Sequence, residues 1–364
     1  MRDQVLLVEE FGCYVGKHSE RVQVKQKDKM LTEMPVMNLD QILILSGGVS
    51  LSSDAIRVCA ENGIPITLLS RGGKVYARVV SAEMGGTVRT RREQLLAYLD
   101  TRGVHLAKAF ASGKMLNQAI LLKYISKYRK QTDVEVFSAA RVAAAQITAL
   151  VEQVRALTCE NLRGGVGNWS SLSSGAAPID ELRPQLLNLE GRAAAIYWEA
   201  IKKLLIGDGS PRSPQVLEFQ GREGRGSTEL VNAALNYGYG VLYSQIDQAI
   251  VLAGLDPYGG FVHVDRAGKP SLVLDLVEEF RQPVVDRTVF ALLNKGVELK
   301  QDDDGKFTDK ARRLLADKVL ERLEGEEPYE GKRHKLRTII QMQARHVATF
   351  VRGEGNYHAF VGRW

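Results

Sequence analysis

His263, Asp275 and Glu278 place an imidazole and two carboxylates within one short stretch of the chain, Ala253 to Arg281. Gly254-Leu255-Asp256-Pro257 and Gly259-Gly260 spell a turn, and His263 follows it directly. Asp265 to Lys269, with Gly268, suits a loop, and Pro270 suits the first turn of a new helix. On that helix Asp275 and Glu278 stand three positions apart, so both carboxylates project from one face. Two such groups repel each other, and a divalent cation relieves the repulsion while taking their oxygens as ligands. An imidazole added to carboxylates suits Mn2+, or Mg2+ where geometry permits. Either ion can polarise a phosphodiester and stabilise the attacking and leaving oxygens. The same residues have an ordinary reading too: acids on the solvated face of an amphipathic helix, beside a structural histidine. Tyr237-Gly238-Tyr239-Gly240 is too short for a phosphate loop and no Walker-type motif occurs, so nothing supports nucleotide hydrolysis.

The elements that must position these groups are legible in outline. Residues 1 to about 85 read as strand-rich, with apolar or β-branched runs at Val5–Val8, Val22–Val24, Gln41–Leu45 and Ile64–Leu69. One helix interrupts them at about Ser53 to Asn62, capped by Ser52 or Ser53 and stopped by Gly63. Gly85-Gly86-Thr87 marks a hinge. Beyond it Leu95, Leu96, Leu99, Leu106, Ala107, Phe110, Ile120, Leu121, Tyr124 and Ile125 recur at helical spacing, predicting buried helix faces. Ala139–Leu157 and Leu230 to about Leu252 also read as helices. Gly164–Ala177 and Gly207–Ser227 are Gly- and Ser-rich loops long enough to be functional. The fold class is therefore α+β: a β-rich domain over 1–86, a larger all-α domain over 87–330 that carries the chemistry, and a basic tail over 331–364.

Composition narrows the function classes. With 364 residues the chain exceeds what one core usually holds, and 45% apolar with 25% charged residues is ordinary for a globular protein. No run of about 18 uncharged apolar residues predicts a membrane span. Arg2, Asp3, Glu9 and Glu10 around a short apolar stretch do not make a secretory signal, so the expected location is the cytoplasm and no membrane partner is expected. Cys13, Cys59 and Cys159 lie far apart, which suggests buried free thiols and neither a disulfide framework nor a thiolate zinc site. The net charge of +6 tilts partners toward anions. Lys332, Arg333, Lys335, Arg337, Arg345 and Arg352 follow one another with no acid between them, either as a phosphate-neutralising patch or as a solvated tail.

Three phrases decide among these readings. Leu235–Tyr243, Gly260–His263 and Ser271–Arg281, in that order and spacing, resemble the CRISPR-associated integrase family, the first core Cas protein (Cas-one). Leu189 to Trp198 resembles that family's upstream metal-binding helix, and Leu43–Gly47 through Gly63–Ile66 its N-terminal β-domain, so the likeness covers roughly residues 1–300. The resemblance implies an endonuclease or integrase that inserts short double-stranded fragments into the repeat of a CRISPR array by transesterification. It places the metal ligands on Glu190, His263 and Glu278, with Asp275 beside them, and the cofactor as Mn2+ or Mg2+. The third ligand is Asp in some members and Glu here, which keeps a carboxylate oxygen. Tyr243 matches a tyrosine near the active site in some relatives, where it could hydrogen-bond a phosphate, although a buried tyrosine one helical turn from Tyr239 is more often core. Arg222, Lys269 and Arg281 flank the proposed metal as DNA-phosphate contacts, although Arg281 could instead pair with Glu278 or Glu279. Implied partners are DNA, a second copy of the chain through the β-domains, and the second core Cas protein (Cas-two).

Overall fold

The computed structural model describes residues 4–27, 29–81, 88–158, 177–206, 219–224 and 226–364. The chain forms two compact units, one of Met1–Met84, Gly224–Ser244 and Glu298–Val319, the other of Gly85–Glu223, Gln245–Val297 and Leu320–Trp364. The Gly85–Thr87 hinge, Cys159 and most of the two Gly- and Ser-rich loops lie outside the described residues.

In the first unit two four-stranded sheets share one apolar core. Strands β1 (Gln4–Val8), β5 (Leu39–Ile44), β7 (Ile66–Leu69) and β8 (Val75–Val79) lie in that order, parallel except for the last pair. The other sheet runs β4 (Lys29–Pro35), β3 (Arg21–Gln26), β2 (Cys13–His18), β6 (Ser50–Leu51). Alternation in β2 and β3 turns Cys13, Val15, Val22 and Val24 inward, where they meet Leu39, Ile42, Ala55 and Ile66. Cys13 and Cys59 are buried free thiols, as the sequence suggests. Helix α1 (Ser53–Glu61) is capped by the Ser52 hydroxyl, which accepts from Ala55 N at 3.0 Å, and Gly63 follows at φ +65°.

The Tyr-Gly-Tyr-Gly run has a packing explanation. On α6 (Leu230–Leu252) a side chain at Gly240 would collide with the Gly73 carbonyl, so glycine is what lets the Ser70–Lys74 turn lie against the helix.

The second unit is built on α3 (Thr101–Ser126), α4 (Val134–Ala156) and α5 (Pro178–Ile206), which pack on one another. Leu106, Ala107, Phe110 and Leu121 are buried, as their spacing predicts. The same prediction fails on α2 (Val88–Ala97): Leu95, Leu96 and, just beyond, Leu99 are exposed. That helix turns its polar side inward because Gln94 binds the 256–259 turn three times, to Asp256 O, Gly259 O and Asp256 N. Helix α4 is long and apolar enough to cross a membrane by length and composition, although its apolar run is divided by charged residues. Its Ala140, Ala144, Ile147, Val151 and Val154 stripe is buried, and Arg141, Glu152 and Arg155 lie on its exposed side.

The chain continues through α7 (Ser271–Leu276), a 3-10 turn at Val277–Glu279, a π-helical stretch at Arg281–Asp286 and α8 (Arg287–Asn294). Then come α9 (Asp309–Leu323) and the hairpin β9 (Glu326–Tyr329) with β10 (Lys332–Lys335), the first strand in a region expected to be all helical and the second in the expected tail. The basic segment after residue 331 is folded. It supplies β10 and α10 (Leu336–Val351), and Tyr357 and Phe360 beyond them are fully buried. Its charges are largely matched by acids from either side: Arg333 by Glu326, Lys335 and Arg337 by Glu324, Arg352 by Glu354.

Candidate active site

Helix α5 organises the site through residues seven apart, which a helix of 3.6 residues per turn brings to one side. Arg183 donates from Nε to Val262 O at 3.0 Å and from Nη2 to Phe261 O at 3.2 Å. Glu190, two turns on, accepts from Lys114 Nζ of α3 at 2.5 Å through Oε1. Tyr197, two turns further, donates its hydroxyl proton to Asp286 Oδ2 at 2.7 Å. One helix face thus ties down the loop before His263, a carboxylate of the site and the segment after Glu278.

Asp275 does a different job from the one its spacing suggests. It is fully buried, and its oxygens accept from Phe261 N at 2.5 Å, Val262 N at 3.0 Å, His263 N at 3.1 Å and the His263 ring at Nδ1, 2.7 Å away. Gly260 permits this approach, because a Cβ there would sit 2.9 Å from Asp275 Oδ2 and 2.6 Å from Ser271 Cβ. With Nδ1–H donating to the carboxylate, Nε2 is the nitrogen that carries the lone pair. An imidazole fixed in this way is the arrangement by which a carboxylate orients a histidine ligand. Asp275 therefore positions His263, with no lone pair in reserve for an ion.

Glu278 lies on the 3-10 turn and is 6% exposed. Lys114 Nζ stands 2.9 Å from its Oε2, off the hydrogen-bonding direction, and Arg281 Nη1 stands 3.2 Å from Oε1. Burial pushes the Glu278 carboxyl up, but Arg281, Lys114 and, more weakly, His263 outweigh it and hold the group below the usual range. Burial likewise favours a neutral Lys114, and Glu278 and Glu190 together reverse that and raise it. The ammonium therefore binds both carboxylates as a cation, so that either one alone still leaves it a partner.

Next to it, Glu279 faces the other way. Its side chain accepts from Gln343 Nε2 at 2.6 Å, Phe360 N at 2.8 Å and the Tyr357 hydroxyl, while Asn117 of α3 bonds both Glu279 O and Phe360 O at 2.9 Å. The C-terminal segment is in this way tied to the turn that carries Glu278. Burial pushes the Glu279 carboxyl up to about 7 against these bonds. The folded state then keeps a proton that the unfolded chain releases near pH 4.5, so stability falls as pH rises from 4.5 to about 7. The expected loss is roughly 3 kcal/mol. Denaturant melts of Glu279→Gln against the parent chain across that window measure it, and parallel curves contradict the assignment.

The structure gathers Glu190, Lys114, Glu278 and Arg281 in one network and joins Asp275 to His263. Among the described residues no three His, Cys, Asp or Glu side chains are clustered closely enough to hold a metal ion together. Their chemistry fits one: two carboxylates already drawn onto a cation, and an imidazole with one nitrogen fixed and the other left to bond. Of the remaining sequence candidates, Arg281 is engaged with Glu278. Lys269 is half-buried in the 266–269 turn, and Arg222 bonds the Glu223 carbonyl. Tyr243 is half-buried on α6 within the first compact unit, whereas Glu190, His263, Asp275 and Glu278 lie in the second. Sequence reasoning missed Lys114, Arg183 and Asn117. Only Arg183 left a signal, its seven-residue spacing from Glu190.

A β-rich N-terminal region is followed by helices bearing a carboxylate pair and an aspartate-held histidine. The family model "CRISPR associated protein Cas1" matches residues 6–321. The "CRISPR-associated endonuclease Cas1 1" of Archaeoglobus fulgidus is 39% identical over 99% of both chains. The chain belongs to the Cas1 family, and several curated members similar to it are named endonucleases. Two solved structures share the fold: a casposase bound to integration product and a chain of a Cas6-RT-Cas1–Cas2 complex. The casposase is 19% identical with TM-score 0.77, covering 98% of this chain and 92% of that one. The other is 19% identical with TM-score 0.72, covering 99% of this chain and 36% of that one.

Proposed function

We propose that this Cas1 protein is a metal-dependent integrase, which joins the 3′ hydroxyls of short DNA duplexes to a CRISPR repeat by transesterification. The observation that carries the reading is the pairing of Glu190 and Glu278 on one buried cation, with His263, fixed through Nδ1, acting electrostatically on Glu278. Glu190, Glu278 and His263 Nε2 would hold Mn2+ or Mg2+. The bound ion supplies charge neutralisation at a phosphodiester under attack. The rest falls to the chain itself. Asp275 and Arg183 keep the His263 loop in register, so that reacting groups meet a rigid frame. Arg281 remains at Glu278 as a second positive charge that would favour a phosphate at the site. Lys269 and Arg222 are the side chains we assign to more distant phosphates.

The neighbouring structures, one bound to an integration product and one in a complex with Cas2, support DNA and a Cas2 protein as partners, and a second copy of this chain joins the proposal because two DNA ends need two sites. The expected compartment is the cytoplasm, where such arrays are kept. The test is incubation of the full chain with 3′-hydroxyl duplexes, a repeat-bearing target and Mn2+. Strand-joined products support the proposal. Cleavage alone would favour a water-using nuclease, and no reaction with either Mn2+ or Mg2+ refutes metal-dependent chemistry.

A further inference from the structure

We propose that Lys114 is an exchangeable counter-cation. Its ammonium holds Glu190 and Glu278 together until a divalent cation takes the carboxylates, and it then pairs with a phosphate oxygen of the DNA strand at the site. The inference rests on the integrase reading and adds a residue to it.

Three observations lead there. First, Lys114 lies mid-way along α3 with only 11% of its side chain exposed, and its Nζ reaches Glu190 at 2.5 Å and Glu278 at 2.9 Å. The two carboxylates assigned to the ion are therefore already gathered on a single positive charge. A divalent cation must compete with that ammonium for the same oxygens. Second, the charges balance only if a phosphate joins. Glu190, Asp275 and Glu278 stand against Lys114 and Arg281, an excess of one acidic side chain over basic ones. A divalent ion turns that into one positive charge, and one phosphodiester brings it to zero. In a buried site such a residual charge is costly, so ion and phosphate each favour the other's entry. Third, the residue type suits exchange. A lysine ammonium is a compact charge with three donors on a flexible four-carbon stem, free to re-aim over a few ångströms, whereas the planar guanidinium of Arg281 is suited to a fixed pairing.

The consequence is ordered loading. Without DNA the ammonium keeps metal affinity low, and a phosphate that accepts the ammonium releases both carboxylates, which makes metal and DNA binding mutually supportive. The cost of the exchange falls on the metal when Lys114 has no other partner. Removing the ammonium should then leave two close carboxylates that bind an ion more tightly.

The experiment is calorimetric titration of Mn2+ into the full chain without DNA, for the parent protein, Lys114→Met, Lys114→Gln and Glu190→Gln, with folding checked by cooperative melts. The lysine variants are expected to bind Mn2+ at least about tenfold more tightly than the parent, a change of about 1.4 kcal/mol. With Mn2+ present, the salt dependence of their DNA affinity should lose about one phosphate contact, a slope change of about 0.9. Lysine variants that bind Mn2+ no tighter than the parent overturn the exchange while leaving the integrase reading intact. Mn2+ binding that survives in Glu190→Gln sinks the integrase reading itself, and the exchange with it. Should neither lysine variant fold, the parent chain labelled at lysine Cε decides: a lysine resonance must shift on adding Mg2+, and a spectrum unchanged in every lysine signal overturns the proposal.

Discussion

Asp275→Ala is expected to destabilise the chain by on the order of 3–5 kcal/mol and to weaken Mn2+ binding by about 10–100-fold. The carboxylate is fully buried and serves four donors at once: the backbone N–H groups of Phe261, Val262 and His263, and the His263 ring. Alanine strands all four where water is excluded. Each buried orphan donor costs about 1–3 kcal/mol, and partial relaxation of the loop explains a total below the simple sum. Asp275→Asn should fall between, since its amide has one accepting oxygen where the carboxylate has two, and its nitrogen would face donors. Denaturant melts report the first effect and calorimetric Mn2+ titration the second. A variant within about 1 kcal/mol of the parent would show that something other than Asp275 holds the loop. Arg183, which grips the carbonyls of Phe261 and Val262 from the opposite element, is the next candidate in that event.

What the sequence conveyed about this region depended on how local the cause was. Strands β1, β3, β5 and β7, the Ser52-capped α1 and both ends of α6 could be read from alternation, caps and breakers, because those signals lie within a few residues of their effects. The pairing of Asp275 with Glu278 on one helix face was legible only to a degree. The chain tightens into a 3-10 turn at Val277–Glu279, and a turn of 3.0 instead of 3.6 residues re-aims Glu278 toward α3 while Asp275 stays with the 261–263 loop. Lys114 carries no local mark at all. It sits on a core helix between Ser112 and Asn117, and only the two carboxylates brought to it by α5 and the 3-10 turn make it intelligible. Leu95, Leu96 and Leu99 misled for the converse reason: helical spacing shows that a face exists but not that anything covers it, and Gln94 took the inner side. The basic run after residue 331 reads as a tail only while the acids that meet it, Glu324 and Glu326 before it and Glu354 after it, are left out of view.

Glu190→Ala and Glu278→Ala should both lower strand joining by at least about 100-fold, yet differ sharply in stability. Glu190 keeps 17% of its side chain exposed and has Lys114 as its one ion-pair partner in the network. Its loss leaves Lys114 paired with Glu278, and the expected cost is about 1 kcal/mol or less once solvent screening is allowed for. Glu278 is buried between Lys114 and Arg281, and its loss leaves two cations at the site sharing one carboxylate. Breaking a buried pair on one side costs about 3–5 kcal/mol. Their catalytic effects should not add, because each removes a ligand from the same ion, and the double variant should be little slower than either single one. Thermal or denaturant melts beside the joining assay measure both halves. A Glu190→Ala protein that still joins DNA at more than about a tenth of the parent rate would remove Glu190 from the site. Equal destabilisation by the two substitutions would mean that the carboxylates are buried alike, contrary to their exposure. Glu190→Ala is accordingly the variant in which lost activity can be read as lost chemistry, since the protein that fails to join DNA is still the folded one.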